Sequence, residues 1–159
     1  MPKSAKKLRS NPAWIERHIN DPFVKKSKAE GYRARSAYKL LELNEKEKLF
    51  RPGITVVDLG SAPGSWTQVA RSKMVNAAGK FSGHLVAMDI LPMEPVPDAV
   101  FLQGDFREQE VADQLSALLA GGKVDVVLSD MAPNLSGIPA VDAAASLLLN
   151  ELALEFALE

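Results

Sequence analysis

The chain has 159 residues, 47% apolar and 25% charged, which supplies one hydrophobic core and is too short for two domains. It contains no cysteine, so a disulfide framework, a thiolate metal site and a sulfur nucleophile are all excluded. The formal net charge of −1 conceals a division: residues 1–51 carry 14 Lys/Arg against 6 Asp/Glu, whereas residues 52–159 carry 5 against 14, a net of +8 followed by a net of −9.

The opening residues are basic but lack the apolar centre of a secretory signal. No uncharged run is long enough to span a bilayer, so a soluble cytoplasmic protein is expected. Residues 1–20 read as a mobile basic arm anchored at Trp14, and residues 21–159 as one α/β domain. Within that domain Asp21 to Gly31 reads as a short connecting element. A helix is predicted from Ser36, with Ala37, Leu40, Leu41 and Leu43 as its apolar stripe and Lys39 directed away from the core, before the turn Arg51-Pro52-Gly53.

Four short apolar runs then predict strands: Ile54 to Leu59, Leu85 to Met88, Val100 to Leu102 and Val124 to Leu128. Each ends in, or soon reaches, an acid: Asp58, Asp89, Asp105 and Asp130. Continuous apolar strands alternating with helix-compatible stretches indicate a mostly parallel sheet covered by helices on both faces. The Leu/Ala-rich stretch Ala143 to Glu159 is expected to be a covering helix, with no stop signal before the sequence closes.

The local pattern that carries chemistry is ITVVDLGSAPGSW, a buried strand, a tight loop and the helix-compatible run from Trp66 to Met74. Gly60 and Gly64 permit a close approach of ligand to backbone, and the helix start offers unpaired N–H groups. Ser61, Ala62 and Pro63 separate the glycines, so neither the dinucleotide fingerprint nor a phosphate-binding P-loop is present, and a dehydrogenase-like dinucleotide domain is disfavoured. Asp89 is placed to accept from both hydroxyls of a nucleoside ribose. Asp105, or backbone beside it, can accept from an adenine amino group, with Phe106 as an apolar wall. Asp130 lies where the sheet order reverses and marks the expected reaction centre; Met131, Ala132 and Pro133 would form a wall there, and Asn134 a contact. The plainer reading of each acid is a solvated strand end or a helix cap; four around one crevice argue otherwise. Lys25, Lys26, Lys28, Arg33 and Arg35 precede Lys39 and are candidates to hold RNA phosphates, the alternative being a solubilising face.

The runs RARSAYKL, DLGSAPGSW, MDILPM, FLQGDFRE and SDMAPNLSGIPAVD resemble, in this order and over nearly the whole chain from Trp14, the FtsJ/RrmJ family of ribosomal RNA 2′-O-ribose methyltransferases. The resemblance implies a Rossmann-like S-adenosylmethionine-dependent fold with strand order beginning 3-2-1-4-5. It implies that Gly64, Trp66, Asp89, Asp105 and Asp130 contact S-adenosylmethionine. Asp58, Gly60, Pro63, Ser65, Ile90, Phe106 and Met131 stand beside these and complete the expected cofactor set. The substrate it implies is ribosomal RNA, a uridine of the large subunit, with no metal and with a monomer for the complete protein.

The family's catalytic set is Lys-Asp-Lys-Glu. Lys39 matches its first lysine and Asp130 its aspartate, while the second lysine, the family's general base, and the glutamate would fall past Glu159. The chain is therefore expected to lack its last strands, to expose a sheet edge and self-associate, and to bind cofactor without turning over. A ribose hydroxyl is too weakly acidic to ionise at neutral pH, and a lysine accepts its proton only when neutral, which requires its pKa of about 10.4 to be lowered. Lys39 beside Asp130 would instead orient the hydroxyl as an ammonium. A non-catalytic RNA-binding module retaining the cofactor fold is the alternative function.

Overall fold

The computed structural model describes residues 12–119, 122–131 and 136–158. Helices α1 (Pro12–Asn20), α2 (Pro22–Glu30) and α3 (Ala37–Glu47) precede strand β1 (Thr55–Leu59) and helix α4 (Ser65–Lys73). Strands β2 (His84–Asp89) and β3 (Ala99–Gln103), helix α5 (Gln109–Leu119), strand β4 (Val126–Ser129) and helix α6 (Pro139–Leu158) follow. The four strands are those the apolar runs predict, with ends shifted by one or two residues. They pair in parallel in the order β3-β2-β1-β4, with Val57 opposite Val86 on one side and Val127 on the other. Among the described residues β4 pairs only with β1, so its far edge carries no strand.

Because successive strand residues point to opposite faces, Val56 and Val57 enter different cores. Ile54, Val56, Leu85 and Leu128 pack beneath α3 and α4, against Ala37, Leu40, Val69, Ala70 and Met74. Val57, Leu59, Val86 and Met88 pack beneath α5 and α6, against Val111, Leu115 and Ala153. Val56, Val57, Leu59, Leu40, Val69 and Leu115 are all fully buried. At about 1.5–3 kcal/mol for each side chain removed from water, these two layers hold the strand ends, and hence the acids, in fixed register.

The N-terminal third departs from the sequence expectation. Of the segment read as a mobile arm, the described part from Pro12 is helix α1. Trp14 does not anchor it: the indole is 54% exposed and stacks on His18, with ring centroids 5.0 Å apart. The expected connector is helix α2, capped at its start by the Asp21 carboxylate, which accepts from the N–H groups of Phe23 and Val24, and at its end by Gly31 in the left-handed conformation. Asp21 also pairs with Arg35. Although burial opposes it, these hydrogen bonds hold the Asp21 carboxyl below its ordinary range. Lys39 is exposed as expected, whereas Leu43 is 44% exposed and lies outside the buried stripe.

Candidate active site

The sheet order reverses between β1 and β4, and the crevice of an open α/β sheet lies outside the carboxyl ends of the strands at such a point. A cleft of about 380 Å³ opens there. Of the residues that the sequence marks as candidates, Gly60, Asp89, Ile90, Asp105, Phe106, Asp130 and Met131 line it. Ala62, Met88, Leu91, Gly104, Arg107, Ala145 and Leu149 also line it and are not among those candidates. Most adjoin the named motifs, but Ala145 and Leu149 come from α6, and only the packing of that helix brings them there.

Gly60 turns the chain out of β1 at φ +74°; its N–H and that of Ser61 both donate to the Met88 carbonyl, at 2.8 and 3.0 Å. A Cβ on Gly60 would stand 2.8 Å from both the Cα and the N of Met131, so glycine lets the loop lie directly against the end of β4. The Asp130 N–H donates to the Leu59 carbonyl at 3.1 Å, which brings an exposed carboxylate to the rim. Asp89 uses one carboxylate oxygen to accept from the Ala62 N–H and the other to accept from the Leu91 N–H, each at 2.9 Å.

Asp58 lies under the loop, fully buried, with Oδ2 accepting from the Thr67 hydroxyl at 2.7 Å and Oδ1 without a hydrogen-bond partner. Burial pushes its pKa up to about 7, with the negative charges of Asp130 and Asp89 adding to the rise and the Thr67 hydrogen bond opposing it. The three acids therefore share one electrostatic field, which favours a cation. Asp105 differs: the Arg107 guanidinium holds its carboxyl below the ordinary range, through Nη2 at 2.7 Å and Nε at 3.0 Å, and the Arg107 N–H adds a bond at 2.9 Å. Any hydrogen bond from a base amino group to that carboxylate must be shared with Arg107.

Pro63, Gly64, Ser65 and Trp66 stand to one side of the cleft. The Ser65 hydroxyl meets that of Ser36 at 2.7 Å, and the Trp66 indole N–H donates to the Ser36 carbonyl at 2.9 Å, joining α4 to the start of α3. Phe106 is buried and packs edge-on against Phe156 of α6. Ala132, Pro133 and Asn134 lie outside the described residues. Of the basic candidates, Lys25, Lys28 and Lys39 are exposed, and their ammonium groups make no hydrogen bond or ion pair among the described residues. Lys26 lies 4.7 Å over the Tyr38 ring and 3.9 Å from Glu30. Arg33 and Arg35 are engaged within the fold, Arg33 by backbone carbonyls and Arg35 by Asp21.

A parallel α/β sheet whose acid-lined cleft opens at the switch point, behind a glycine loop unlike the dinucleotide fingerprint, defines a Rossmann-like domain. The family described as FtsJ-like methyltransferase matches residues 32–159. Curated relatives named ribosomal RNA large subunit methyltransferase E are 55% identical in Burkholderia multivorans and 54% in Ralstonia nicotianae, with 95% of this chain and 72% of each relative covered. A solved structure titled as a ribosomal RNA methyltransferase from Plasmodium falciparum superposes with a TM-score of 0.66 at 31% identity, over 78% of this chain and 69% of that one. The chain belongs to the FtsJ-like methyltransferase family, and its sheet and flanking helices are the methyltransferase fold. No helix among the described residues is long and apolar enough to cross a membrane.

Proposed function

We propose that this methyltransferase takes its methyl group from S-adenosylmethionine bound in the cleft and delivers it to a ribose 2′-oxygen of large-subunit ribosomal RNA. The observation that carries the reading is the acid cluster: Asp58, with an unpartnered buried oxygen, sits in the field of Asp89 and Asp130 beside a largely apolar cleft. S-adenosylmethionine fits that donor set, since it carries a sulfonium and an ammonium for the acids, ribose hydroxyls for Asp89, and an adenine for the walls at Ile90, Phe106 and Met131. The relatives' names support ribosomal RNA as the acceptor.

When bound, the donor would supply a methyl on a positively charged sulfur, with the S–C bond breaking as the C–O bond formed and its electron pair left on sulfur. The chain's own residues orient the partners. Lys25, Lys26 and Lys28 on α2 offer positive charge to the RNA backbone, and Lys39 on α3 orients the ribose hydroxyl as a cation, with Asp130 at the cleft rim. A lysine serving as a cation cannot also take the hydroxyl proton, which needs a separate neutral base, the role that the family resemblance gives to a second lysine.

Calorimetric titration with S-adenosylmethionine and with NAD tests the cofactor. Binding of the first alone is expected, and binding of NAD alone would overturn the reading. Incubation of large ribosomal subunits with methyl-labelled donor tests the acceptor. Whatever label is transferred is expected in ribose, and label confined to bases or to protein would refute the 2′-oxygen as its target.

A further inference from the structure

Arg33 lies in the basic segment that invites an RNA reading, yet its guanidinium faces inward. Nη1 donates to the Pro63 carbonyl at 3.0 Å and to the Glu94 carbonyl at 2.6 Å, and Nη2 donates to the Pro95 carbonyl at 2.7 Å. The Arg33 N–H donates to Oε1 of Gln68 at 3.0 Å, and Nε2 of Gln68 donates to the Gly31 carbonyl at 3.1 Å, so the backbone behind the guanidinium is fixed to α4. No carboxylate pairs with Arg33 among the described residues; carbonyl dipoles alone meet its charge.

These carbonyls belong to two segments that leave the strand ends beside the cleft. Pro63 lies in the loop after β1, which contributes Gly60 and Ala62 to the cleft, and Glu94 and Pro95 lie in the segment after β2, which contributes Ile90 and Leu91. Asp89 already joins the two at their inner end through Ala62 and Leu91. Arg33 joins them at the outer end. Gly64 records how closely: at φ +110°, a Cβ there would stand 2.8 Å from Nη1 of Arg33 and 3.1 Å from Sδ of Met93. A planar fork reaches acceptors on two segments at once, which the single nitrogen of lysine does not reproduce.

We propose that Arg33 is a positioning residue of the donor site, a latch that sets the spacing of the two loops flanking Asp89, and that it is not an RNA phosphate contact. The proposal rests on the cleft being the S-adenosylmethionine site.

The test uses the full chain as wild type, Arg33→Lys and Arg33→Ala. Three measurements are made: donor titration by calorimetry, the salt dependence of ribosomal RNA binding, and amide hydrogen exchange over residues 60–64 and 93–96. Both variants are expected to bind donor about tenfold more weakly or worse, since hydrogen bonds from a charged donor are removed. Both should exchange faster in the two loops, and both should keep the wild-type slope of log K against log salt. Methylguanidinium is expected to restore donor binding to Arg33→Ala, and no restoration would mark a global loss and overturn the latch. Wild-type donor affinity in Arg33→Lys would show that charge alone suffices and would also overturn it. So would unchanged donor affinity in Arg33→Ala with the salt slope reduced by about 0.7–0.9, the signature of one phosphate set free. Failure of the wild type itself to bind donor would overturn the functional reading instead; loop exchange would then decide the latch, and equal rates in all three proteins would refute it.

Discussion

Replacing Asp58 with asparagine isolates the energetic cost of the buried acid. Burial, reinforced by Asp130 and Asp89, lifts its pKa to about 7, against about 3.9 in an unfolded chain. A carboxyl whose folded pKa is raised binds its proton more tightly in the native state. Its contribution to stability is therefore fully present below the unfolded pKa, declines as pH rises, and is lost once pH passes the folded pKa. About three pH units correspond to roughly 4 kcal/mol in total, of which about 2.5 kcal/mol falls between pH 5 and pH 8. Asparagine has no such dependence, and its side-chain oxygen can still accept from the Thr67 hydroxyl, which lies 2.7 Å from Oδ2 in the native protein. Urea unfolding of both proteins near the two pH values is the assay. The stability of Asp58→Asn relative to wild type should rise by about 2.5 kcal/mol from the lower pH to the higher. Acids remote from the site titrate in both proteins and cancel in the difference. A relative stability identical at the two pH values would refute the argument that Asp58 is buried without compensation.

Asp89→Ala should weaken S-adenosylmethionine binding by about 1.5–3 kcal/mol, read as the calorimetric dissociation constant, because a charged acceptor is removed. Gly60→Ala should lower both the melting temperature and donor affinity, since the new Cβ would meet Met131 backbone at 2.8 Å and the residue would be held at φ +74°; an unchanged melting temperature would contradict the close packing of loop and β4. Neutralising Lys25, Lys26 and Lys28 together should flatten the salt dependence of RNA binding by roughly 0.7–0.9 in slope for each phosphate no longer neutralised, with donor affinity preserved.

The sheet was legible because each strand is an apolar run with a polar residue at its last or next-to-last position, and burial on both faces leaves no other arrangement for Val56-Val57 or Val86-Ala87. Val124 reads as the start of β4 in the sequence, but the strand begins at Val126, because the Asp125 carboxylate leaves the run to accept from the Thr55 N–H at 2.8 Å. Helix α2 is hard to see in the sequence because only Val24 and Ser27 are buried on it, so periodicity is faint. Its signals are the caps: Asp21 before Pro22 at the start and Gly31 at the end. Within the cleft, Asp89 and Asp130 were legible as strand-end acids. Arg107 stands inside the run FLQGDFRE without marking itself as a site residue, though an arginine two residues after Asp105 can fold back on it. Nothing in a basic run distinguishes Arg33, which turns inward, from Lys28, which does not. That distinction depends on carbonyls 30 and about 60 residues away in sequence.

The Asp89 carboxylate reaches the cleft with both oxygens already bonded to backbone amides, so its rotamer is set before any ligand arrives. An acceptor free to rotate would forfeit about 0.5–1.5 kcal/mol of side-chain entropy on capture, and here that loss has been incurred during folding. Each oxygen keeps a further lone pair for a ligand hydroxyl, and the incoming group meets a surface that need not rearrange. The same bonds tie the carboxylate to its own loops: were the proposed ribose held there, a shift stretching the hydrogen bond to Ala62 or Leu91 would turn the acceptor away from it. Release would then begin with the backbone at Ala62 or Leu91, before any bond to the ligand itself had broken.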